Sequence, residues 1–403
     1  MGGVVTVDPA RPVVWPLYAA GFVTAFGANG IAAAVGGEHD ELGLSLGWLG
    51  VFLALYDVAE LILKPVFGAL SDRIGPKPVI VGGLVLFALA SLGGVFATGP
   101  GLLGLVRLAQ GAGASAFSPA SSAAVARLTV PGTRGRYFGR YGSWKSLGYA
   151  GGPVVGAVVV SFAGTGWLFA LLMVMAAVTT LAVWAVVVPI RPLPRERATV
   201  AALVRATTRP GFLLPVAVLA VGSAAIGAAT GMLPALGASL GVPFATSAIA
   251  VAVIAVTSAI VQPLAGRRHD TGRLGVRTAC TAGALLVAAG CGTLALLPAA
   301  GSMFVAAVLV GIGVATLTPV AFSHLASTAS TARLGRTMGS AELGREAGDA
   351  VGPLVVGGVG SALSLPAGFG VFALIAAGVG IGAASGLRRT RAVRDAIEST
   401  GKE

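Results

Sequence analysis

Charged residues are scarce in this chain of 403 residues, where Asp, Glu, Lys and Arg together make up only 10% of the sequence. A soluble protein normally carries about a quarter charged residues. Hydrophobic residues account for 56% of the chain, so the usual water-exposed surface cannot be assembled from it. This composition excludes an ordinary soluble globular protein and favours a protein that lies in a lipid bilayer.

Cysteine and histidine are also few. Cys280 and Cys291 lie on one apolar segment, about 16 Å apart if that segment is helical, which is too far for a disulfide. No cluster of Cys and His has the spacing of a metal site, so no metal is predicted. Nucleotide-binding loops and nucleophile motifs are absent, so we expect neither an enzyme nor an ATP-driven pump.

The net charge of +12 does not indicate a nucleic-acid-binding protein, because the bases are spread over many short segments. Apolar residues occur instead in blocks of about 20, the length of a transmembrane helix. The 61 glycines suit helices that pack closely in lipid. The blocks predict twelve transmembrane helices, at residues 13–35, 46–70, 79–98, 101–125, 144–163, 165–189, 211–236, 244–264, 277–298, 302–324, 345–364 and 366–387.

The bases also orient the predicted helices. With both termini in the cytoplasm, every Lys and Arg except Lys64 and Arg107 falls in or beside a cytoplasmic segment, as the positive-inside rule requires. The domain organisation follows as a six-helix bundle, a linker, a second six-helix bundle and a basic cytoplasmic tail, at residues 1–189, 190–210, 211–387 and 388–403. The preference for Arg (23) over Lys (4), with abundant Ala and Gly, is typical of a GC-rich bacterium and predicts a multi-pass protein of its plasma membrane.

An internal repeat relates the two halves. Glycines and prolines of the first half recur 200 residues later in the same order, among them Gly111, Gly113, Pro119, Gly148, Gly152 and Pro153. Pro65, Gly68 and Asp72 recur at an offset of 198, as Pro263, Gly266 and Asp270. Two copies in the same orientation predict two parallel-related six-helix bundles around a central pathway, which is a transporter architecture.

The loop after the second predicted helix combines an acid, two bases and two glycines in the ten residues Gly68-Ala69-Leu70-Ser71-Asp72-Arg73-Ile74-Gly75-Pro76-Lys77. A carboxylate at its Asp72 can accept hydrogen bonds from the positive N-terminus of another helix. The loop resembles the signature G-x-L-a-D-R-x-G-R-K of the major facilitator superfamily of transporters, with proline in place of the first basic residue after the second glycine.

That resemblance implies a gating loop formed by Gly68, Asp72, Arg73, Gly75 and Lys77. It also implies that Asp72 meets the start of the eleventh helix, near Gly344–Gly348. The alternative is a solvated loop whose charges only set topology. The family often has an acid at the cytoplasmic end of the fourth helix to balance the loop's bases, but this chain has Arg127 there, so their partners are not identified from the sequence.

The fourth and fifth helices carry two further motifs of the same family. Arg107 begins a match to R-x-x-Q-G-x-G, and its permanent charge would either tune a neighbouring carboxylate or snorkel to the membrane interface.

A proline flanked by glycines, as in the fifth helix, kinks a helix and admits a close neighbour. The second motif resembles the drug:proton antiporter branch and implies export, although its repeat in the eleventh helix also fits a purely architectural kink. This glycine–proline motif comprises Gly148, Gly152, Pro153 and Gly156 in the fifth helix, and it is repeated at Gly352 and Pro353 in the eleventh.

Acids inside the predicted spans are candidates for proton coupling. Asp57, Glu60 and Lys64 form one stripe on the second helix. Lys64 can neutralise Glu60, which leaves Asp57 near mid-membrane as a group that could load and release a proton; a structural ion pair that never titrates is the alternative. Asp349 is a second candidate, and Arg107 is included as a fixed charge that can tune a nearby carboxylate. Polar residues suited to a cavity are Asn29, Tyr56 and Gln110.

Taken together, these features predict an all-α membrane protein of the major facilitator fold that works by alternating access. We expect proton-coupled export of a drug or metabolite, driven by a proton gradient without a cofactor. The alternatives are a proton-coupled importer or facilitator of a sugar, organic acid or other metabolite, and a transport-inactive membrane sensor. Expected partners are a small-molecule substrate, protons and the lipid bilayer, with no nucleic acid, and the chain is expected to be a monomer.

Overall fold

The structure is a computed structural model that describes residues 13–37, 46–97, 99–190, 192, 210–330 and 333–400. The described residues contain twelve long α-helices and no strand, which confirms the predicted all-α class. The helices are α1 Trp15–Gly37, α2 Leu46–Ile74, α3 Pro76–Val95, α4 Pro100–Leu128, α5 Arg134–Ala163, α6 Thr165–Val186, α7 Pro210–Ser239, α8 Phe244–Asp270, α9 Val276–Leu296, α10 Ala300–Thr328, α11 Leu334–Ala362 and α12 Leu365–Thr400.

Eight of these helices are long and apolar enough to cross a membrane, with mean hydropathy of the best window between 1.5 and 2.3. The other four include α2 and α11, which carry several charged side chains, and α4, which carries Arg107, Gln110 and several serines. Exposed apolar side chains are numerous on the helix surfaces, as expected where the surrounding solvent is lipid. The chain is a multi-pass membrane protein.

Three helices extend well beyond the predicted spans. Helix α5 begins at Arg134 rather than 144, α11 begins at Leu334 rather than 345, and α12 continues through most of the predicted tail to Thr400. The predictions were wrong there because hydropathy marks only the apolar part of a helix. Backbone hydrogen bonds continue a helix beyond the membrane wherever the local sequence allows.

The chain divides into two compact units. The first unit contains α1 to α6 together with Ala329–Glu342, which includes the first residues of α11. The second unit contains α7 to α10, the rest of α11 from Leu343, and α12. Helix α11 therefore begins among the residues of one unit and ends among those of the other.

The same helix pairings recur within each unit. In the first unit α1 packs on α5, α3 on α4 and α6, and α2 on α4. In the second unit the equivalent pairs are α9 with α10 and α12, and α8 with α10, while α7 meets α11 through backbone contacts at Gly348 and Gly352. The repeat seen in the sequence is thus a repeat of packing.

Two glycines mark the crossing of α3 and α4. A Cβ atom placed on Gly83 would lie 2.7 Å from the carbonyl oxygen of Gly113, and one placed on Gly113 would lie 2.8 Å from the carbonyl oxygen of Gly83. The corresponding distances for Gly283 and Gly313, at the crossing of α9 and α10, are 2.8 and 2.6 Å. Backbones can approach this closely only where neither helix has a side chain.

The predicted kink motif forms a similar face on α5. Cβ atoms on Gly148, Gly152 and Gly156 would lie 2.7, 2.6 and 2.8 Å from carbonyl oxygens of α1. In the second unit Gly348 and Gly352 approach the backbone of α7, and Pro153 and Pro353 lie inside their helices. These glycines admit the close neighbour that was expected; a link between the motif and export stays a prediction.

Candidate functional site

Asp72 lies in the last turn of α2 and holds the beginning of α11. Its Oδ1 accepts a hydrogen bond of 2.7 Å from the backbone N–H of Gly335, and its Oδ2 accepts one of 2.9 Å from that of Arg336. The first N–H groups of a helix have no partner within the helix, and the helix dipole makes that end positive. The side chains of Arg127 and Arg336 add electrostatic attraction to the carboxylate. Asp72 therefore caps α11.

The residues that Asp72 meets differ from the prediction. Gly344–Gly348 was expected at the contact, and this was wrong because α11 begins at Leu334, about three turns earlier than its apolar part suggests. Asp349 follows Gly335 by fourteen residues along α11 and therefore takes no part in this contact. The role of the contact in gating stays a prediction.

Glycines bring α2 and the beginning of α11 together. A Cβ atom on Gly68 would lie 2.7 Å from the carbonyl oxygen of Gly335 and 3.2 Å from the Cα of Gly339. One on Gly339 would lie 2.9 Å from the carbonyl oxygen of Lys64. The Asp72 carboxylate can reach the amides of α11 because both helices lack side chains at this crossing.

Lys77 finds its partners at the end of α6. Its Nζ donates hydrogen bonds of 2.7 Å to the carbonyl oxygens of both Trp184 and Val187. The last carbonyl groups of a helix are unpaired and carry partial negative charge, so an ammonium group is stabilised there. Arg73 is exposed. The partners of Lys77 were missing from the sequence interpretation because they are backbone atoms rather than acids.

Gly75 allows the turn between α2 and α3. Its φ angle is +91°, a conformation that side chains disfavour, and a Cβ atom there would lie 2.6 Å from the carbonyl oxygen of Ile190. Together with the Lys77 hydrogen bonds, this contact places the signature loop directly against the chain that leaves α6.

A buried ion pair near the same end of the first unit was not predicted. Lys145 Nζ of α5 lies 3.5 Å from Glu342 Oε2 of α11, and Ser122 Oγ of α4 donates to Glu342 Oε1 over 3.1 Å. The Glu342 side chain is 1% exposed. Nothing in the sequence connects Glu342 with Lys145, which lies on another helix 197 positions earlier.

The charged stripe of α2 is partly buried. Lys64 Nζ lies 3.2 Å from Glu60 Oε1, and both side chains are buried, which confirms the expected pair. Asp57 is exposed. Helix α2 is continuous from Leu46 to Ile74, so Asp57 and Asp72 are carried on one helix about four turns apart.

Arg107 is buried within the first unit, with 2% of its surface exposed. Its guanidinium lies 4.2 Å from the centroid of the Tyr56 ring, and its Nη1 donates to Gln110 Oε1 over 3.4 Å. Gln110 Nε2 in turn donates to Ser91 Oγ over 2.9 Å. Asp57 and Glu60 also attract the guanidinium. These contacts contradict the alternative in which Arg107 snorkels to the interface.

Two other predicted residues have local contacts. Asn29 Nδ2 donates to the carbonyl oxygen of Ala25 in its own helix over 2.9 Å. Asp349 of α11 lies against α7, where a Cβ atom on Gly227 would be 2.7 Å from Asp349 Oδ1. A substrate role for Asn29 and a proton role for Asp349 stay predictions.

Several proteins with related sequences are described as drug-resistance proteins. Puromycin resistance protein pur8 of Streptomyces alboniger is 38% identical over 133 residues, which is 33% of this chain and 25% of that protein. Multidrug resistance protein MdtH of Cronobacter sakazakii is 33% identical over 122 residues, which is 29% of this chain and 30% of that protein. The chain therefore spans less than a third of the length of these curated relatives.

The fold matches solved transporter structures over almost the whole chain. The crystal structure of the human organic anion transporter MFSD10 (TETRAN) superposes with a TM-score of 0.79 at 18% identity, covering 94% of this chain and 100% of that one. The sequence profile of the Major Facilitator Superfamily matches residues 17–271 and 216–402. The family comprises transporters, so the class of protein is a transporter and not an enzyme. The chain belongs to the Major Facilitator Superfamily.

Proposed function

We propose that this protein is a secondary active transporter that exports a small molecule, a drug or a metabolite, in exchange for protons. It would act as a monomer in a bacterial plasma membrane, with both termini in the cytoplasm. Alternating access would expose its substrate site to the two sides in turn. A proton and the substrate would bias opposite states, because each binds one state more tightly than the other.

The observation that carries this proposal is the capping of α11 by Asp72. A carboxylate on α2 holds two backbone amides of a helix whose later residues belong to the second unit. Such a contact is made or lost as a whole, so it can separate two discrete states. The same α2 helix carries Asp57, so one continuous helix, with Pro65 between the two acids, would connect the proposed proton site with the cap.

Export is favoured over import by the relatives. Two of them are described as resistance proteins, for puromycin and for multiple drugs. The acids of α2 suit a cationic substrate such as puromycin, whereas Arg107 and Lys64 would reduce that preference. Import of a metabolite is the second candidate, and a comparison of cells with and without the gene would separate the two by the sign of the change in drug accumulation.

Proton coupling is tested with the purified protein in liposomes. A pH-sensitive dye inside the liposomes would report proton movement on addition of puromycin and of other cationic drugs. We expect Asp57→Asn to abolish drug-driven proton movement while drug binding persists. Asp349→Asn is the matched comparison, since it changes the other candidate acid. Proton movement that survives Asp57→Asn and stops in Asp349→Asn would transfer the role to Asp349; survival in both would refute coupling through either acid.

A further inference from the structure

The buried pair of Lys145 and Glu342 has no part in the function proposed so far. Glu342 is the last residue of the segment Ala329–Glu342 that packs in the first unit. Asp72 caps the first turn of α11, and the pair fixes the helix two turns later. The helical part of this segment is therefore held at its beginning through backbone amides and at its last residue through a pair of side-chain charges.

We propose that Glu342 is a proton-binding site whose charge decides whether this segment of α11 stays on the first unit. The ionised carboxylate attracts Lys145 over 3.5 Å and accepts the Ser122 hydroxyl over 3.1 Å. Attraction between buried charges is only weakly screened by solvent. Protonation removes that attraction while the lysine stays charged, so the docked segment is favoured when Glu342 is ionised and released when it is protonated.

Buried hydroxyl groups lie on the helices that carry the partners of Glu342 and on α1. Ser118, Ser121 and Tyr18 are buried, and within the described part of the chain their hydroxyl groups have no hydrogen-bond partner. Ser118 and Ser121 lie within one turn of Ser122 on α4, and the Tyr18 ring packs 6.5 Å from that of Tyr141 on α5. A hydroxyl both donates and accepts, so it can bind a carboxylate or a carboxylic acid. Ser122, which donates to Glu342 Oε1, can therefore also accept a hydrogen bond from the protonated acid.

Other charges could compete for this role, and their positions favour Glu342. Lys145 of α5 and Ser122 of α4 contact Glu342, and the Tyr141 ring lies 5.9 Å from Lys145 Nζ. The other charged groups considered are Lys64 and Asp72 of α2, which packs against the start of α11, and Arg336, Arg345 and Glu346 of α11 itself. Among the acids, Asp72 is held by two backbone amides and Glu346 pairs with Arg345. Glu342 is the acid of this set that a buried lysine and a serine hydroxyl both contact.

This inference rests on the proposed transport function, and a conformational measurement tests it separately. Spin labels would be placed at the exposed positions Val130 and Ser330 of the first unit, in a chain whose two cysteines are replaced by serine. Double electron–electron resonance would then give the distance distribution between pH 8 and pH 5. We expect a short distance to dominate at pH 8 and a longer one to rise severalfold on acidification.

Variants assign that response to Glu342. We expect Glu342→Gln to show the longer distance at every pH, and the exchanged pair Lys145→Glu with Glu342→Lys to regain the short one at pH 8. Ser122→Ala should move the midpoint to higher pH, because it removes a donor to the ionised form. Glu346→Gln, one turn further along α11, is the matched control and should behave as the unmodified chain.

The results separate this inference from the transport proposal. A distance that ignores pH, or a Glu342→Gln variant that still responds to it, overturns the proton site; if that variant fails to fold, an unchanged midpoint in Ser122→Ala does so. Unmodified protein that responds to pH but moves no protons with any drug would refute proton-coupled export and keep the proton site. Drug-driven proton movement that is intact in Glu342→Gln would refute only the site.

Discussion

The Oδ1 atom of Asp72 lies 2.7 Å from the backbone nitrogen of Gly335, a residue 263 positions later in the chain. The acceptor is charged and the donor is the N-terminus of a long helix, so the bond is stronger than one between neutral groups. Because the hydrogen bonds come from backbone amides, they depend directly on the position of α11.

Replacing Asp72 by asparagine should loosen this cap. The amide group removes the charge and offers one acceptor oxygen, so we expect a loss of about 2 kcal/mol, or roughly thirtyfold in the population of the capped state. The label pair at Val130 and Ser330 would measure that population. Asp270→Asn, at the repeat-related position on α8, is the control and should leave the distribution unchanged. Equal distributions in Asp72→Asn and the unmodified chain would refute the latch.

Lys77→Met should free the end of α6. The substitution removes two hydrogen bonds from an ammonium group to the carbonyl oxygens of Trp184 and Val187, each of about 1.5–3 kcal/mol. We expect amide hydrogen exchange at Val187 to become at least tenfold faster. Arg73→Met removes an exposed base from the same loop and should leave this exchange rate as it is. No acceleration in Lys77→Met would show that these bonds contribute little to holding α6.

Gly83→Ala should destabilise the crossing of α3 and α4, whereas Gly82→Ala should not. The added methyl group at residue 83 would lie 2.7 Å from the carbonyl oxygen of Gly113, but at residue 82 it meets no atom within 4 Å. Overpacking typically costs about 1–3 kcal/mol, so a melting temperature lower by a few degrees in detergent is expected for Gly83→Ala.

The second unit supplies a replicate of that experiment. Gly283→Ala should lower the melting temperature in the same way, since its methyl group would lie 2.8 Å from the carbonyl oxygen of Gly313. If Gly283→Ala melted like the unmodified chain while Gly83→Ala did not, the two crossings would not be energetically equivalent.

Tyr56 should support Arg107 through its ring rather than its hydroxyl group. The guanidinium lies 4.2 Å from the ring centroid, and a desolvated cation–π contact contributes about 2 kcal/mol. We therefore expect Tyr56→Phe to keep drug-driven proton movement close to normal and Tyr56→Leu to lower it severalfold. Equal loss in both variants would assign the effect to the hydroxyl group instead.

The predictions from sequence succeeded where a regular pattern was involved. Blocks of apolar residues gave the helices, and the 200-residue offset of Gly113 and Gly313 anticipated equivalent crossings in the two units. The Glu60–Lys64 pair followed from its spacing on one helix. In each case the information lies within one helix or in its repeated copy.

The contacts that were missed join helices far apart in the sequence. Lys77 binds carbonyl oxygens, which every residue possesses and which no sequence pattern marks. Glu342 meets Lys145 only once α5 and the polar start of α11 are folded, and hydropathy does not reveal that start. Because hydropathy does not reveal this polar start, the predicted partner of Asp72 on α11 was also about three turns away from the observed one.

The mutual contact of Gly83 and Gly113, and its counterpart at Gly283 and Gly313, bears on the ancestry of the chain. Where each backbone occupies the space of the other residue's absent side chain, a substitution at either position disturbs both helices. If the halves arose by duplication, these four glycines are places where the ancestral residue was favoured while the surrounding helices diverged. They are therefore natural reference points for aligning one half of any such chain with the other.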